Sequence, residues 1–182
     1  MLPVVRWHGW RGLVHRFSTR LYGPPITTTW MTWIGEERLA VGNLPTLRTL
    51  PLLVDAGVTH VVNCRARPQT WLSQDLALER RVFGRAQVVH APMWDSGRPQ
   101  HPALWLAAAQ FAATTLDQEP TARVLVHCQQ GRRRSVMVAY AILRMRGHTP
   151  EDAADLILRH RIEAELVPTY QATVEQWLPP RP

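Results

Sequence analysis

The chain contains no lysine: all 21 of its basic residues are arginine, set against 14 acidic residues for a net charge of +7. A positive balance suits an anionic partner, but one carried by a single residue type also fits a plain compositional bias, so it is weak evidence for nucleic acid. Cysteine is scarce. The only two, Cys64 and Cys128, exclude a disulfide scaffold, and neither sits in a zinc-type Cys-x-x-Cys pair. A reducing, cytoplasmic setting is expected. Long apolar runs are missing as well: ALWLAAAQFAA is interrupted by Gln110 and is shorter than the roughly 18 to 20 residues that cross a bilayer. Aromatic residues beyond the N-terminal stretch are too sparse for a base-stacking platform, so no nucleic-acid partner is expected.

Acidic residues are absent from the beginning of the chain, the first being Glu36. There Trp7, Trp10, Val14, Phe17 and Leu21 recur at three-four spacing, with Arg11, Arg16 and Arg20 largely off that stripe, so residues 1–21 read as a basic amphipathic helix. Such a segment suits peripheral contact with anionic lipid, and an Arg-rich, acid-poor start is also that of a mitochondrial transit segment. Gly9 and Gly12 weaken both readings, and an arm docked on the domain or simply disordered stays open. Residues 1–30 are therefore set apart as an extension, 31–178 as one folded domain and 179–182 as a tail.

Within the domain the pattern alternates strand and helix. WMTWIGEERLAVGN reads as a hairpin turning near Gly35, and TLRTLPLLVDAG as a helix stopped by Gly57. THVVNC, AQVVHAPMWD and RVLVH are β-branched runs, while HPALWLAAAQFAATTL, SVMVAYAILRMRG and PTYQATVEQWL are helical. TPEDAADLILRHR opens with Thr149 as N-cap, Pro150 at the first helical position and acids in the first turn. This order predicts an α/β fold with a mostly parallel central sheet and helices on both faces.

One cysteine has informative neighbours: VHCQQGRRRS runs from strand through loop into helix. Beyond the carboxyl end of a central strand, a helix N-terminus offers unpaired amides and a positive dipole. Amides from Gln129 to Arg134 can curl around a tetrahedral dianion, with Gly131 permitting the turn. The same surroundings lower a thiol pKa, so Cys128 can be a thiolate near neutral pH. Arg134, separated from the cysteine by five residues, has the planar fork to grip two phosphoryl oxygens, and Ser135 can hydrogen-bond the sulfur. The bland alternative for Cys128 is a small buried apolar residue.

These residues resemble a known signature. HCQQGRRRS is similar to the His-Cys-x-x-Gly-x-x-Arg-Ser/Thr loop of the cysteine-dependent protein tyrosine phosphatases, and the short chain resembles their dual-specificity branch. ERLAVGNLPT, LLVDAGVTHVVNC and SVMVAYAILRMRG are similar to that branch's opening hairpin, second strand and post-loop helix, so the resemblance spans about residues 30 to 178. It implies a cysteinyl-phosphate mechanism without metal or other cofactor, carried over onto Cys128, Gly131, Arg134 and Ser135, with His127 as the histidine before the nucleophile. RLYGPPITTTWMTWIGEERLAVGNLP is also loosely similar to the entry region of the mitochondrial phosphatidylglycerophosphate phosphatases. That subgroup tends to have Lys-Ala where this chain has Gln129 and Gln130.

Expelling an alkoxide or phenoxide needs an acid. Asp95, in APMWDSG at a strand end and 33 residues before Cys128, is the candidate, where the alternative is an ordinary Asp-Ser-Gly turn. Asp75, Asp117 and Glu119 compete but fall in or beside helical segments. Trp94 is placed to shield or line the site. Arg132 and Arg133 favour a substrate bearing more charge than one phosphate, unless they point into solvent. The expected substrate is a phosphorylated protein, with a phosphoinositide or phosphatidylglycerophosphate as the alternative. An RNA 5′-triphosphatase, a phosphate-binding module without catalysis and a rhodanese-like sulfurtransferase are weaker readings. Cys64 ends its strand near Cys128, as a cysteine of tensin-like lipid phosphatases does, which implies a reversible disulfide with the nucleophile as one reading and a plain buried thiol as the other. Gln171 and Gln176 are candidates for positioning the hydrolytic water.

Overall fold

The computed structural model describes residues 30–178, so the expectations for residues 1–29, including the Trp7 to Leu21 stripe, lie outside the described residues. Five strands are arranged as β1 (Met31–Trp33), β2 (Leu39–Gly42), β5 (Val124–His127), β3 (His60–Asn63) and β4 (Val88–His90), in that spatial order. β1 is antiparallel to β2, and every other pairing is parallel. Among the described residues are seven α-helices. They are α1 (Leu50–Asp55), α2 (Arg67–Ser73), α3 (Asp75–Phe83), α4 (Leu106–Gln118), α5 (Arg134–Met145), α6 (Pro150–His160) and α7 (Pro168–Trp177).

The chain steps from β2 past an empty lane to β3, then to β4, and finally returns to fill the lane as β5. Right-handed crossovers place helices on one face during the outward steps and on the other during the return. The two cores follow this rule. Ala40, Val61, Val88 and Leu125 face Leu50 and Leu53 of α1, with Leu76, Leu78 and Phe83 of α3 packed against them. Leu39, Val41, Val62, Val124 and Val126 face the larger core supplied by α4 to α7. Because β5 is covered on both sides, its four residues are all buried and the run is apolar without alternation. Helix α5 is buried from Arg134 to Leu143. Truncating a fully buried member such as Ile142 to alanine would cost about 2–5 kcal/mol.

The alternation of elements matches the expected class, with three local differences. AQVVHAPMWD is regular strand only over Val88–His90, and the rest forms the loop carrying Asp95. HPALW begins as a 3-10 turn at Pro102–Leu104, and α4 starts at Leu106. Helices α2 and α3 were given no bounds from the sequence, although Asp75 was placed in or beside a helical segment: RPQTWLS is two turns long, and DLALERRVF shows little apolar stripe because its two buried residues, Asp75 and Glu79, are acids. Thr149 caps α6 as expected, its hydroxyl accepting from the Asp152 amide at 3.1 Å.

Candidate active site

β5 delivers His127 to the carboxyl edge of the sheet, the next residue is Cys128, and α5 begins at Arg134. The turn between them depends on Gly131. Its φ is +70°, and a Cβ would lie 2.5 Å from the Gly42 carbonyl and 2.6 Å from Arg161 Nη2, so glycine is required by conformation and by space. So placed, the Gly131 amide donates to Cys128 Sγ at 3.2 Å, and the Ser135 hydroxyl donates to it at 3.4 Å. Burial pushes the Cys128 thiol up, but Arg134, the Ser135 hydroxyl and the Ser135 and Gly131 amides outweigh it and bring the pKa from 9.0 to about 7.

Arg134 is almost fully buried, at 3% exposure. Its Nη1 donates to the Met93 carbonyl and to Gln69 Oε1 at 3.0 Å each and to the Cys64 carbonyl at 3.4 Å, which fixes the plane of the guanidinium. Its Nε, also buried, has no hydrogen-bond acceptor; Asp95 Oδ2 stands 3.8 Å away. A planar cation locked through one nitrogen and unsatisfied on its Nε edge is suited to an oxyanion.

Asp95 comes to the same place from the loop after β4. Its Oδ1 lies 3.2 Å from Arg133 Nη1 and accepts from the Tyr170 hydroxyl at 3.4 Å, while Tyr170 Oη in turn accepts from the Gly97 amide at 3.1 Å. Thr169 Oγ1 donates to the Gly97 carbonyl at 2.7 Å, so the first turn of α7 pins the acid loop. Of the competing acids, Asp75 is bound to Arg65 at 2.7 Å and Asp117 to Arg146 at 2.9 Å. Trp94, next to Asp95 in the chain, is exposed. Gln171 follows Tyr170 on α7, and Gln176 is exposed further along that helix.

The two further arginines are not free cations. Arg132 pairs with Glu165, and Arg133 Nε lies 3.6 Å from Glu165 Oε2 while its Nη1 holds Asp95. The Glu165 amide also donates to the Arg132 carbonyl at 2.8 Å. The positive charge of Arg132 and Arg133, read from the sequence as favouring a more highly charged substrate, is partly offset in the fold by an acid in the segment between α6 and α7. Within the loop, Gln129 is buried, its carbonyl accepting from the Leu44 amide at 3.2 Å, and Gln130 is exposed.

Behind the loop lies an arginine that sequence reasoning did not single out. Arg161, 2% exposed, donates from Nε to the Gly131 carbonyl at 2.7 Å and from Nη1 to the Val41 carbonyl and Thr32 Oγ1, each at 3.1 Å. A buried polar chain sits on the other side. His127 Nε2 is 2.9 Å from Glu79 Oε1, and Asn63 Nδ2 donates to both Glu79 oxygens and to Asp75 Oδ2. Burial disfavours the charged imidazole, yet Glu79 holds the His127 pKa above its usual value, and Nδ1 lies 3.4 Å from the Cys128 carbonyl. Cys64 lies next to Cys128: Asn63 is in register with His127, the Cys64 amide donates to the His127 carbonyl at 2.8 Å, and both cysteines belong to the larger core. Neighbouring parallel strands run about 4.8 Å apart, within the Cα span of a disulfide. Burial and the Cys128 charge push the Cys64 thiol well up.

No protein-family model matches the chain, and no curated protein matches it. Solved structures do. A mouse dual-specificity phosphatase complexed with zinc tungstate shares 23% identity at a TM-score of 0.65, over 84% of this chain and 89% of that one. PTPMT1 in complex with PI(5)P shares 20% identity at a TM-score of 0.66, over 81% of this chain and 94% of that one. A human tyrosine phosphatase-like serine/threonine/tyrosine-interacting protein shares 19% at a TM-score of 0.67, over 81% and 94%. The fold is that of the dual-specificity phosphatases. In a dual-specificity-phosphatase fold the β5–α5 turn is a natural place for an anion, since β5 is the lane where the strand order reverses.

Proposed function

We propose that this chain is a phosphomonoester hydrolase acting through a cysteinyl-phosphate intermediate, with phosphorylated tyrosine, serine or threonine side chains of proteins as substrate. The observation that carries the reading is the pairing of Cys128, its thiol lowered to about 7, with a locked Arg134 whose Nε edge lacks an acceptor. In the first step the Cys128 thiolate attacks phosphorus and the ester oxygen leaves with the proton of the Asp95 carboxyl group. In the second, the Asp95 carboxylate takes a proton from water, the hydroxide displaces sulfur, and Ser135 stabilises the departing thiolate. Arg134 and the loop amides hold the equatorial oxygens throughout. A thiolate nucleophile needs a reducing compartment, for which the cytoplasm is our reading and the mitochondrion the alternative.

A phospholipid phosphatase is the second reading. It is favoured by the fold shared with PTPMT1 in complex with PI(5)P and by the acid-free start of the chain. Pairing of Arg132 and Arg133 with Glu165 weakens the case for a polyphosphorylated headgroup.

Phosphate release from para-nitrophenyl phosphate, without added metal, tests the shared chemistry. Cys128→Ser should abolish turnover, and Asp95→Asn should lower it about 10²-fold or more. Wild-type turnover no greater than that of Cys128→Ser would refute the hydrolase reading. A panel of phosphopeptides and phospholipids then separates the two substrate classes.

A further inference from the structure

The four most exposed large apolar side chains in the described chain are Ile162 at 93%, Trp71 at 73%, Leu47 at 70% and Trp94 at 53%. They come from four different segments, yet each lies within three residues of a group bonded to the candidate site. Leu47 follows Leu44, whose amide donates to the Gln129 carbonyl, and Trp71 follows Gln69, which accepts from Arg134. Trp94 follows Met93, whose carbonyl also accepts from Arg134, and Ile162 follows Arg161, which bonds the Gly131 carbonyl. The tips thus ring the mouth of the site.

Cations alternate with them. Arg48, Arg67 and Arg98 are exposed on the segments of Leu47, Trp71 and Trp94 and, among the described residues, form no ion pair with an acid. The chain also enters the domain here. Met31 is in register with Gly42, and Gly42 with His127, so Trp30 emerges about two strand spacings from Cys128. The 29 residues before it contain arginine and no acid.

We propose that this end of the domain docks on an anionic membrane surface, with the four apolar tips at the acyl boundary and the arginines at the phosphates. A bilayer can accept each protruding Trp, Leu or Ile separately while arginines remain in the headgroup layer. A protein partner would need a separate pocket for each tip. Docking in this way turns the mouth of the site toward the membrane, so phosphate esters presented there are met first. The surface does not depend on the hydrolase reading, and the two are tested by different readouts.

The full chain is floated with vesicles of phosphatidylcholine containing roughly 30 mol % phosphatidylglycerol, and with phosphatidylcholine alone. Wild type should bind the anionic vesicles and lose binding as salt rises. The double variant Leu47→Ser/Trp71→Ser should bind about tenfold more weakly or worse, with unchanged turnover of para-nitrophenyl phosphate. Val82→Ser, on α3 at the opposite end of the sheet, should bind like wild type. Ile162→Ser, compared at matched melting temperature, repeats the test if the double variant folds poorly. No wild-type binding to anionic vesicles, or equal binding by the rim variants, would overturn the proposal. So would rim variants that bind vesicles normally but lose kcat/KM only toward a soluble phosphopeptide, because the face would then be a protein dock. Failure of the hydrolase reading shows independently, as absent wild-type turnover.

Discussion

Arg161 lies away from the position a substrate phosphate would take, yet its removal should be felt there. Arg161→Met keeps the length and apolar contacts of the side chain but strips the donors from the Gly131 and Val41 carbonyls, which accept at 2.7 and 3.1 Å in a buried setting. Each orphaned buried carbonyl costs about 1–3 kcal/mol, partly offset because a charge no longer has to be buried, so a net loss of about 2–4 kcal/mol is expected. Typical domains have about 5–15 kcal/mol of stability, so the variant should still fold. The consequence for the proposed reaction follows from Gly131, whose amide donates to the Cys128 sulfur. A loop displaced by about 1 Å should lower kcat/KM toward para-nitrophenyl phosphate by about 10²-fold. Loss of a cation whose charge is coupled to Cys128 should also raise the thiol pKa. Urea unfolding at constant pH measures the first effect, and steady-state kinetics on the folded variant the second. Arg161→Lys should recover little, since a single ammonium cannot meet Gly131, Val41 and Thr32 together. Unfolding within about 1 kcal/mol of wild type together with kcat/KM within about twofold would show that the arginine does not brace the loop.

Four further predictions concern the same loop and its neighbours. Iodoacetamide alkylation of Cys128 should fall as pH drops through about 7, and Ser135→Ala should move that midpoint upward by about one pH unit, the worth of one charge-assisted hydrogen bond; an unmoved midpoint would remove Ser135 from the mechanism. Because the folded thiol loses its proton at lower pH than the unfolded one, its contribution to stability is present above about pH 9 and is lost as pH falls to about 7; Cys128→Ser should lack this slope in melting temperature. Glu165→Gln should leave stability within about 1 kcal/mol, as expected for exposed pairs, but lower KM several-fold for a doubly phosphorylated peptide relative to a singly phosphorylated one at low salt; an unchanged ratio would mean that Arg132 and Arg133 face away from bound substrate. Mild peroxide should join Cys64 to Cys128, seen by mass spectrometry as the loss of two hydrogens and reversed by dithiothreitol, whereas Cys64→Ser should over-oxidise at Cys128 irreversibly; repeated absence of the crosslink would leave Cys64 a buried thiol.

The front of the candidate site was legible because it is local. Cys128, Gly131, Arg134 and Ser135 lie within eight consecutive residues, and their chemistry depends on a strand, a turn and a helix start that the same residues announce. Asp95 was legible through its place at a strand end before glycine, although its partners Arg133 and Tyr170 were not. The back of the site was hidden because it is built from pairings distant in sequence. Arg161 reaches Gly131 across 30 residues and Val41 across 120, and in sequence it is one more arginine among many near the end of an amphipathic helix. Asn63, Asp75 and Glu79 are hidden for the opposite reason: polar residues in short charged segments read as surface, and only tertiary burial makes them a satisfied interior network. The pairing of Arg132 and Arg133 was hidden in the same way. A run of arginines is visible as charge, but whether it remains charge available to a ligand depends on Glu165, which reaches the loop only when α6 and the segment after it fold back over the carboxyl edge of the sheet. The turn that joins Cys128 to Arg134 is thus set by neighbours in the chain, whereas the placement of Asp95 and the net charge at the rim are set by the fold.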